Sequence, residues 1–286
     1  MAQAPGHRLG QIIGDTLEFA IGPPLAKFAD RHGLYFDSKG ERQARPGKKV
    51  TWRDDLGNTH DLDYVLERGG TETKLGLPVA FIETAWRRYT KHSRNKAQEI
   101  QGAILPLLTT WAHVKPFAGV VLAGVWTKGS LEQLRSNGFS ILFINYDTII
   151  DVFRGWDIEV FYEENTPDRV LQDQIERWEA LSKTDREALG QELRDAISNE
   201  LKIFMDDLSK AVLRRIECVS ILPLHGRVTD CQTIEAAIEF IESYDPSAGS
   251  RPIVRFEVII RYDNGDRITA DFGSPADAIV FLGSFG

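Results

Sequence analysis

The sequence predicts a mixed α/β protein: a mixed β-sheet flanked by helices, then a helical segment, then a small α+β unit. Three observations predict it. Strand-like and helix-like segments alternate between residues 50 and 145, the order that builds a sheet covered by helices. Beyond residue 151 the apolar spacing turns helical. A β-α-β-β-α pattern then closes the chain. These changes of period divide it into 1–150, 151–216 and 217–286.

Taken in order, Leu9, Ile13, Leu17 and Ile21 recur every fourth residue and predict a helix. Pro23 and Pro24 predict its end, with a second short helix through Leu25, Phe28 and Ala29. Residues 37–49 are polar, with Gly and Pro, and read as a basic loop. Strands are expected over Val50–Arg53 and Thr59–Leu66, joined by a turn at residues 54–58 whose Gly-Asn follows two aspartates. The apolar run from Pro78 to Trp86 is the next strand. Ala97, Ile100, Ile104 and Leu107 or Leu108 mark a helix from Ser93 to Trp111. Phe117–Trp126 lacks alternation, as expected of a strand buried on both faces. A short helix ends at Gly138, and Phe139–Asn145 is another buried strand.

In the second half, Leu189, Leu193, Ile197, Leu201, Phe204, Leu208 and Val212 form an apolar stripe on long helices. Strands at 217–224, 253–262 and 266–272 and helices at 233–244 and 275–283 complete the prediction, with a hairpin turn at Asp263-Asn264-Gly265-Asp266.

Composition narrows the function classes. The 286 residues are 42% hydrophobic, which excludes a fibrous or disordered chain. No stretch approaches the roughly 20 apolar residues of a membrane span, and the first residues lack a signal peptide's apolar core. A soluble, cytoplasmic protein without a membrane partner is therefore expected. Cys218 and Cys231 are too few for a disulfide framework and wrongly spaced for zinc, so both are expected to be buried. The net charge of −8 is a sum of unlike halves. Residues 1–150 hold 19 Lys/Arg against 15 Asp/Glu, and residues 151–286 hold 15 against 27. The basic half is compatible with an anionic partner.

The chemistry-bearing segment is residues 59–101. Asp63 ends one strand signal, Glu83 falls on the next, and Arg87, Arg88, Lys91, Arg94 and Lys96 follow with His92 and no acid. Carboxylates on adjacent strands can hold a hard divalent cation, which prefers oxygen donors. Strand alternation puts Asp61 and Asp63 on one face, so either could contribute; Asp63 is preferred because it lies deeper in the apolar run. The basic run costs self-repulsion unless an anion is near, which makes it a candidate phosphate-facing surface. His60, His92 and His113 are possible general bases, with structural roles expected instead.

These residues resemble the PD-(D/E)XK nuclease superfamily, the fold of many restriction endonucleases. Leu62-Asp63 matches its Pro-Asp element and Phe81-Ile82-Glu83-Thr84-Ala85 matches its Asp/Glu-x-Lys strand. The following helix and two strands match in order, so the resemblance covers roughly residues 7–150. Leu62 replaces the proline, and Ala85 stands where the family has lysine. Displacement of that lysine onto the helix is implied, with Lys96 the first choice and Lys91 the second.

The resemblance implies a restriction-endonuclease-like sheet and a Mg2+-dependent, type II restriction-like DNA endonuclease hydrolysing phosphodiester bonds. Asp63 and Glu83 would be the metal ligands, with Mn2+ able to substitute. Arg87, Arg88, Lys91, Arg94 and Lys96 would contact double-stranded DNA. Glu18, on the first helix, occupies the place of a further acidic site residue, or else is a solvated boundary position. Gln98 and Glu99 are either site residues or part of a solvated face. Cutting two strands implies a homodimer, with the long helices or the C-terminal unit as its surface. The alternatives are a catalytically inactive DNA-binding or scaffold subunit, which Ala85 would permit, and a structure-specific repair nuclease.

Overall fold

The computed structural model describes residues 4–90, 93–223, 226–245 and 255–285. The chain divides into two units, 1–208 and 209–286. The helices following residue 167 up to Leu208 cluster with the sheet that precedes them, and the division falls within a helix.

The first unit opens with α1 (Pro5–Arg31), β1 (Leu34–Ser38), the hairpin β2 (Val50–Arg53) and β3 (Thr59–Leu62), then β4 (Tyr64–Arg68) and β5 (Leu77–Arg87). It continues through α2 (Ser93–Thr110), β6 (Phe117–Gly124), α3 (Lys128–Ser136), β7 (Ser140–Asn145) and α4 (Tyr146–Arg154). Helices α5 (Asp168–Ala180), α6 (Lys183–Ala196) and α7 (Ser198–Val212) follow. The main sheet has the order β1-β4-β5-β6-β7. Its β1, β4 and β5 run antiparallel, and β5, β6 and β7 run parallel. It is thus the mixed sheet that the alternating pattern predicts. Every residue of β6 is buried, as its unbroken apolar run requires.

One face of the sheet is covered by α2 and α3, with Phe81, Ala85, Ala97, Ile100, Ile104, Val120, Leu122 and Leu134 in one core. Helix α1 packs on β1 and β5, and α5 and α6 pack on α1.

Two departures from the sequence expectations have local causes. The predicted break at Pro23 does not occur: both prolines lie inside α1. A proline there deprives the carbonyl four residues earlier of its N–H donor. Those carbonyls are Phe19 and Ala20, and the Arg194 guanidinium of α6 donates to both, at 2.5 and 3.3 Å. Helix α6 comes this close because residue 190 is glycine; a Cβ there would stand 2.6 Å from the Phe19 Cβ. Arg194→Ala should therefore destabilise the first unit by about 2 kcal/mol, the cost of leaving two backbone acceptors poorly paired. A lowered urea midpoint at unchanged slope would register it, and an unchanged midpoint would refute the bridge.

The second departure is at Thr59–Leu66, predicted as one strand. It is two, parted at Asp63: β3 pairs with β2 in its own small sheet, while β4 joins the main sheet. The turn between β2 and β3 forms as predicted. The Asp54 carboxylate accepts from the backbone N–H groups of Leu56 and Asn58, and Gly57 takes φ +85°. Residues 37–49 are only partly the polar loop expected, because Asp37, Arg42 and Arg45 are buried.

The second unit, taken by itself, contains β8 (Ile216–Pro223), β9 (Thr229–Cys231), α8 (Ile234–Ser243), β10 (Phe256–Tyr262), β11 (Arg267–Phe272) and α9 (Pro275–Gly283). The sheet order is β11-β10-β8-β9, all antiparallel, with α8 and α9 packed together. The short β9 adds one strand to the predicted pattern. Alternate residues Phe256, Val258, Ile260 and Tyr262 of β10 face the core with Val219, Ile221, Ile241 and Leu282. The hairpin forms at the predicted Asn-Gly, with Gly265 at φ +86°. Both cysteines are free; Cys231 is buried and Cys218 only half-buried. Among the described residues no helix is long and apolar enough to cross a membrane.

Candidate active site

Asp63 occupies the break between β3 and β4, where the chain leaves one sheet for the other. Tyr64 pairs with Ile82 in the antiparallel β4–β5 register, so Asp63 comes opposite Glu83. The Thr84 backbone N–H and hydroxyl each donate to Asp63 Oδ2 at 2.7 Å. Both bonds fall on one oxygen and fix the direction of the carboxylate.

Glu83 shares its face of β5 with Phe81 and Ala85, the face that α2 covers. It is 8% exposed and forms no ion pair within 4 Å among the described residues. Burial pushes its carboxyl up to about 8, and the neighbouring Asp63 charge pushes in the same direction. The Lys96 ammonium and the Asp63 backbone N–H act against this rise. Two carboxylates so placed require positive charge nearby.

Lys96 supplies part of it. It lies in the first turns of α2, three-quarters covered, with Nζ 3.3 Å from Glu99 Oε2. It lines a groove of about 380 Å³ together with Thr84, Ala85, Arg87 and, from α1, His7 and Gln11. Ala85 is 5% exposed and belongs to the core under α2. The position that carries a lysine in the resembled nucleases thus carries a methyl group, and an ammonium from the adjacent helix reaches the same groove.

Glu18 enters from α1, over the other face of the sheet. It lines a cavity of about 430 Å³ with Asp15, Lys39, Asp63 and Tyr64. The cavity walls raise its pKa by partial burial; Lys39 opposes the rise, while Asp15 and Asp63 add to it. Asp63 thus neighbours both Glu83, on which Lys96 also bears, and Glu18 on the α1 side.

Other candidates are placed elsewhere or otherwise engaged. Asp61 points into the β2–β3 hairpin, bonded to Lys49 at 2.7 Å and Thr51 at 2.6 Å. The strand break at Asp63 separates the two aspartates into different sheets, while the Asp61 charge still bears on Glu83. Arg88 donates to the Tyr162 carbonyl and stacks 3.4 Å over the Tyr162 ring, so it is a structural clamp within this fold. Arg87 donates to the Trp86 carbonyl and lies 3.9 Å from Glu99. Arg94, Gln98 and Glu99 are exposed on α2. Lys91 and His92 lie outside the described residues. His60 binds the Asp54 carboxylate through Nε2 at 3.0 Å, and His113 lies against Trp111.

The residue that sequence reading missed is Tyr64. Its ring stacks with Phe36, centroids 5.5 Å apart, and it is 5% exposed, yet its hydroxyl makes no hydrogen bond among the described residues. In the sequence it looks like one more apolar strand residue.

The donor set suits a hard divalent cation in part. Among the described residues no three His, Cys, Asp or Glu side chains are grouped to enclose a metal ion. Asp63 and Glu83 offer two oxygen donors, and magnesium commonly takes one or two carboxylates and keeps several waters.

No family model and no curated protein matches the chain. Among solved structures, the crystal structure of a protein of unknown function, AF1548, is similar at 10% identity with a TM-score of 0.27. It covers 66% of this chain and 98% of its own. A likeness at that level carries no argument about fold or activity.

Proposed function

We propose that the chain is a Mg2+-dependent endonuclease of restriction type that hydrolyses phosphodiester bonds in double-stranded DNA, working as a homodimer. One observation supports the proposal: Asp63, Glu83 and Lys96 arrive from a strand junction, a strand and a helix, and Asp63 and Lys96 both bear electrostatically on Glu83. Three distant choices of residue type agree at one place.

Asp63 and Glu83 would hold the cation. When bound, it supplies polarisation of a phosphoryl oxygen and a water of lowered pKa. The chain's own residues do the remainder. Thr84 holds Asp63 in a single orientation. Glu83 would hold the cation as the carboxylate, its proton passing to solvent, because a bound positive charge would offset both its burial and the Asp63 charge. Lys96 stands where Ala85 cannot serve, offsetting negative charge on the phosphate. Arg94, exposed at the start of α2, contacts the DNA backbone without reading sequence.

The test is relaxation and fragmentation of plasmid DNA with and without magnesium. Asp63→Ala should abolish cutting with the fold intact by circular dichroism. Lys96→Ala should slow it by about 10²–10³, the usual effect of deleting one group that stabilises transition-state charge, whereas Arg94→Ala should mainly weaken binding and reduce its salt dependence. Full activity in Asp63→Ala would overturn the site. The second reading, an inactive DNA-binding subunit, is favoured by the methyl of Ala85 in the core; DNA retention without cutting at any magnesium concentration would select it.

A further inference from the structure

Apart from Asp63, the lining of the cavity between α1, β1, β4, α5 and α6 has no part in the proposed phosphodiester hydrolysis. Its lining includes the aromatic residues Phe19 and Phe36, half-buried, and Tyr64 and Trp178, almost wholly covered. Around them stand Asp15, Glu18 and Asp63 with Lys39 and Arg186. At about 430 Å³ it falls within the roughly 300–1,000 Å³ range of small-molecule sites.

Two polar atoms on this wall have no hydrogen-bond partner among the described residues: the Tyr64 hydroxyl and the Arg186 Nε. Buried polar groups without hydrogen bonds are rare because each costs free energy, and such exceptions require an explanation. Phenylalanine at position 64 would keep the stacking on Phe36 and remove the cost. A tyrosine there gains a use for its hydroxyl when the cavity is filled. Gly22, on α1 beside this wall, leaves the space open; a Cβ there would meet only the Tyr64 hydroxyl, at 3.8 Å.

We infer that this cavity receives an unstacked nucleobase bearing an exocyclic amino group. Flat aromatic walls suit a base plane, and enzymes that hold extruded bases combine such stacking with hydrogen bonds to the base edge. Carboxylates accept hydrogen bonds, so Asp15 and Glu18 favour adenine, cytosine or guanine over thymine, which has no amino group. The Tyr64 hydroxyl both donates and accepts and completes the edge contact. Because Asp63 belongs to both places, a base held here lies beside the carboxylates that would act on the phosphate. The inference rests on the nuclease reading for its substrate class, but not for its pocket.

Calorimetry or saturation-transfer NMR of the full chain with deoxyadenosine, deoxycytidine and thymidine, without metal, tests it. Deoxyadenosine or deoxycytidine should bind in the millimolar range, at least tenfold tighter than thymidine. Gly22→Leu should abolish binding by filling the space. Tyr64→Phe should weaken it at least threefold without lowering the melting temperature, and remains informative if leucine before Pro23 disturbs α1. Absence of nucleoside binding, equal binding of thymidine, or wild-type binding by Tyr64→Phe would each overturn the inference. Nucleoside binding without plasmid cutting would leave the pocket standing and remove the nuclease reading; cutting without nucleoside binding would do the reverse.

Discussion

Glu83→Gln is expected to make the metal-free protein more stable at neutral and alkaline pH while abolishing its cutting of DNA. Glu83 prefers to be protonated in the folded chain, where burial and the Asp63 charge bring its pKa to about 8. In the unfolded chain the same carboxyl titrates near 4.3. The folded state therefore binds the proton more tightly, and the associated stability is fully present below about pH 4. It is lost progressively as pH rises toward 8, after which both states are ionised and the loss is complete. The full difference is on the order of 5 kcal/mol, or roughly 10–20 °C in melting temperature for a unit of this size.

Glutamine keeps the shape of the protonated acid and does not titrate. The difference between the wild-type and Glu83→Gln melting curves should widen from pH 4.5 to 9, with the variant higher at the alkaline end. Other titrating groups act on both proteins and cancel in that difference. Magnesium should restore stability to the wild type at pH 9, by binding only the folded state, and leave Glu83→Gln unaffected. Parallel melting curves would show that residue 83 does not carry the strain described; a magnesium effect equal in both would place the ion elsewhere.

The contrast between Glu83 and its neighbours shows how far the sequence can be read. Residue types and strand order point to Asp63, Glu83 and Lys96 as candidates, because a carboxylate inside an apolar run and an acid-free basic stretch are local signals; the fold brings Asp63 and Lys96 to bear on Glu83. The engagement of Arg88 was not legible: within the run it looks like its neighbours, and only the tertiary approach of Tyr162 makes it a clamp. The continuity of α1 through two prolines depends on Arg194, far along the chain. The parting of β3 from β4 at Asp63 arises because the chain changes sheets there, which no alternation of apolar residues records. Strand β9 is three residues long, too short for a periodic signal. Tyr64 is a different failure: its burial is foreseeable, but the lack of a partner for its hydroxyl among the described residues appears only once the surrounding chain is in place.

Glu67→Ala should be the most damaging single substitution away from the active site, costing about 3–5 kcal/mol because it strands a buried cation. Glu67 is fully buried on β4 and accepts from Arg42 at 2.5 and 3.1 Å and from the Gly76 backbone N–H at 2.6 Å. Arg42 also donates to Asp37 at 2.8 Å and to the carbonyls of Thr71 and Lys74. Asp37 in turn takes a two-pronged bond from Arg45, both contacts 2.9 Å. Two acids and two arginines are thus matched, with their remaining donors placed on backbone oxygens. Sequence reading assigns these arginines to a solvated loop, because nothing local reveals that residues far apart in the chain enclose them.

The network ties residues 42–45 and 67–76 to the main sheet, close to Lys39 on the cavity wall. Its loss should therefore loosen the cavity as well as the fold. Removing one charge is worse than removing both, since a lone buried ion has no compensation. Arg42→Met with Glu67→Leu should accordingly cost less than the sum of the single changes, by at least 1 kcal/mol in a double-mutant cycle from urea unfolding. Additive losses would mean that the four residues do not act as a unit. A Glu67→Ala protein with a wild-type melting temperature would show that solvent reaches Arg42 and that the network is not closed.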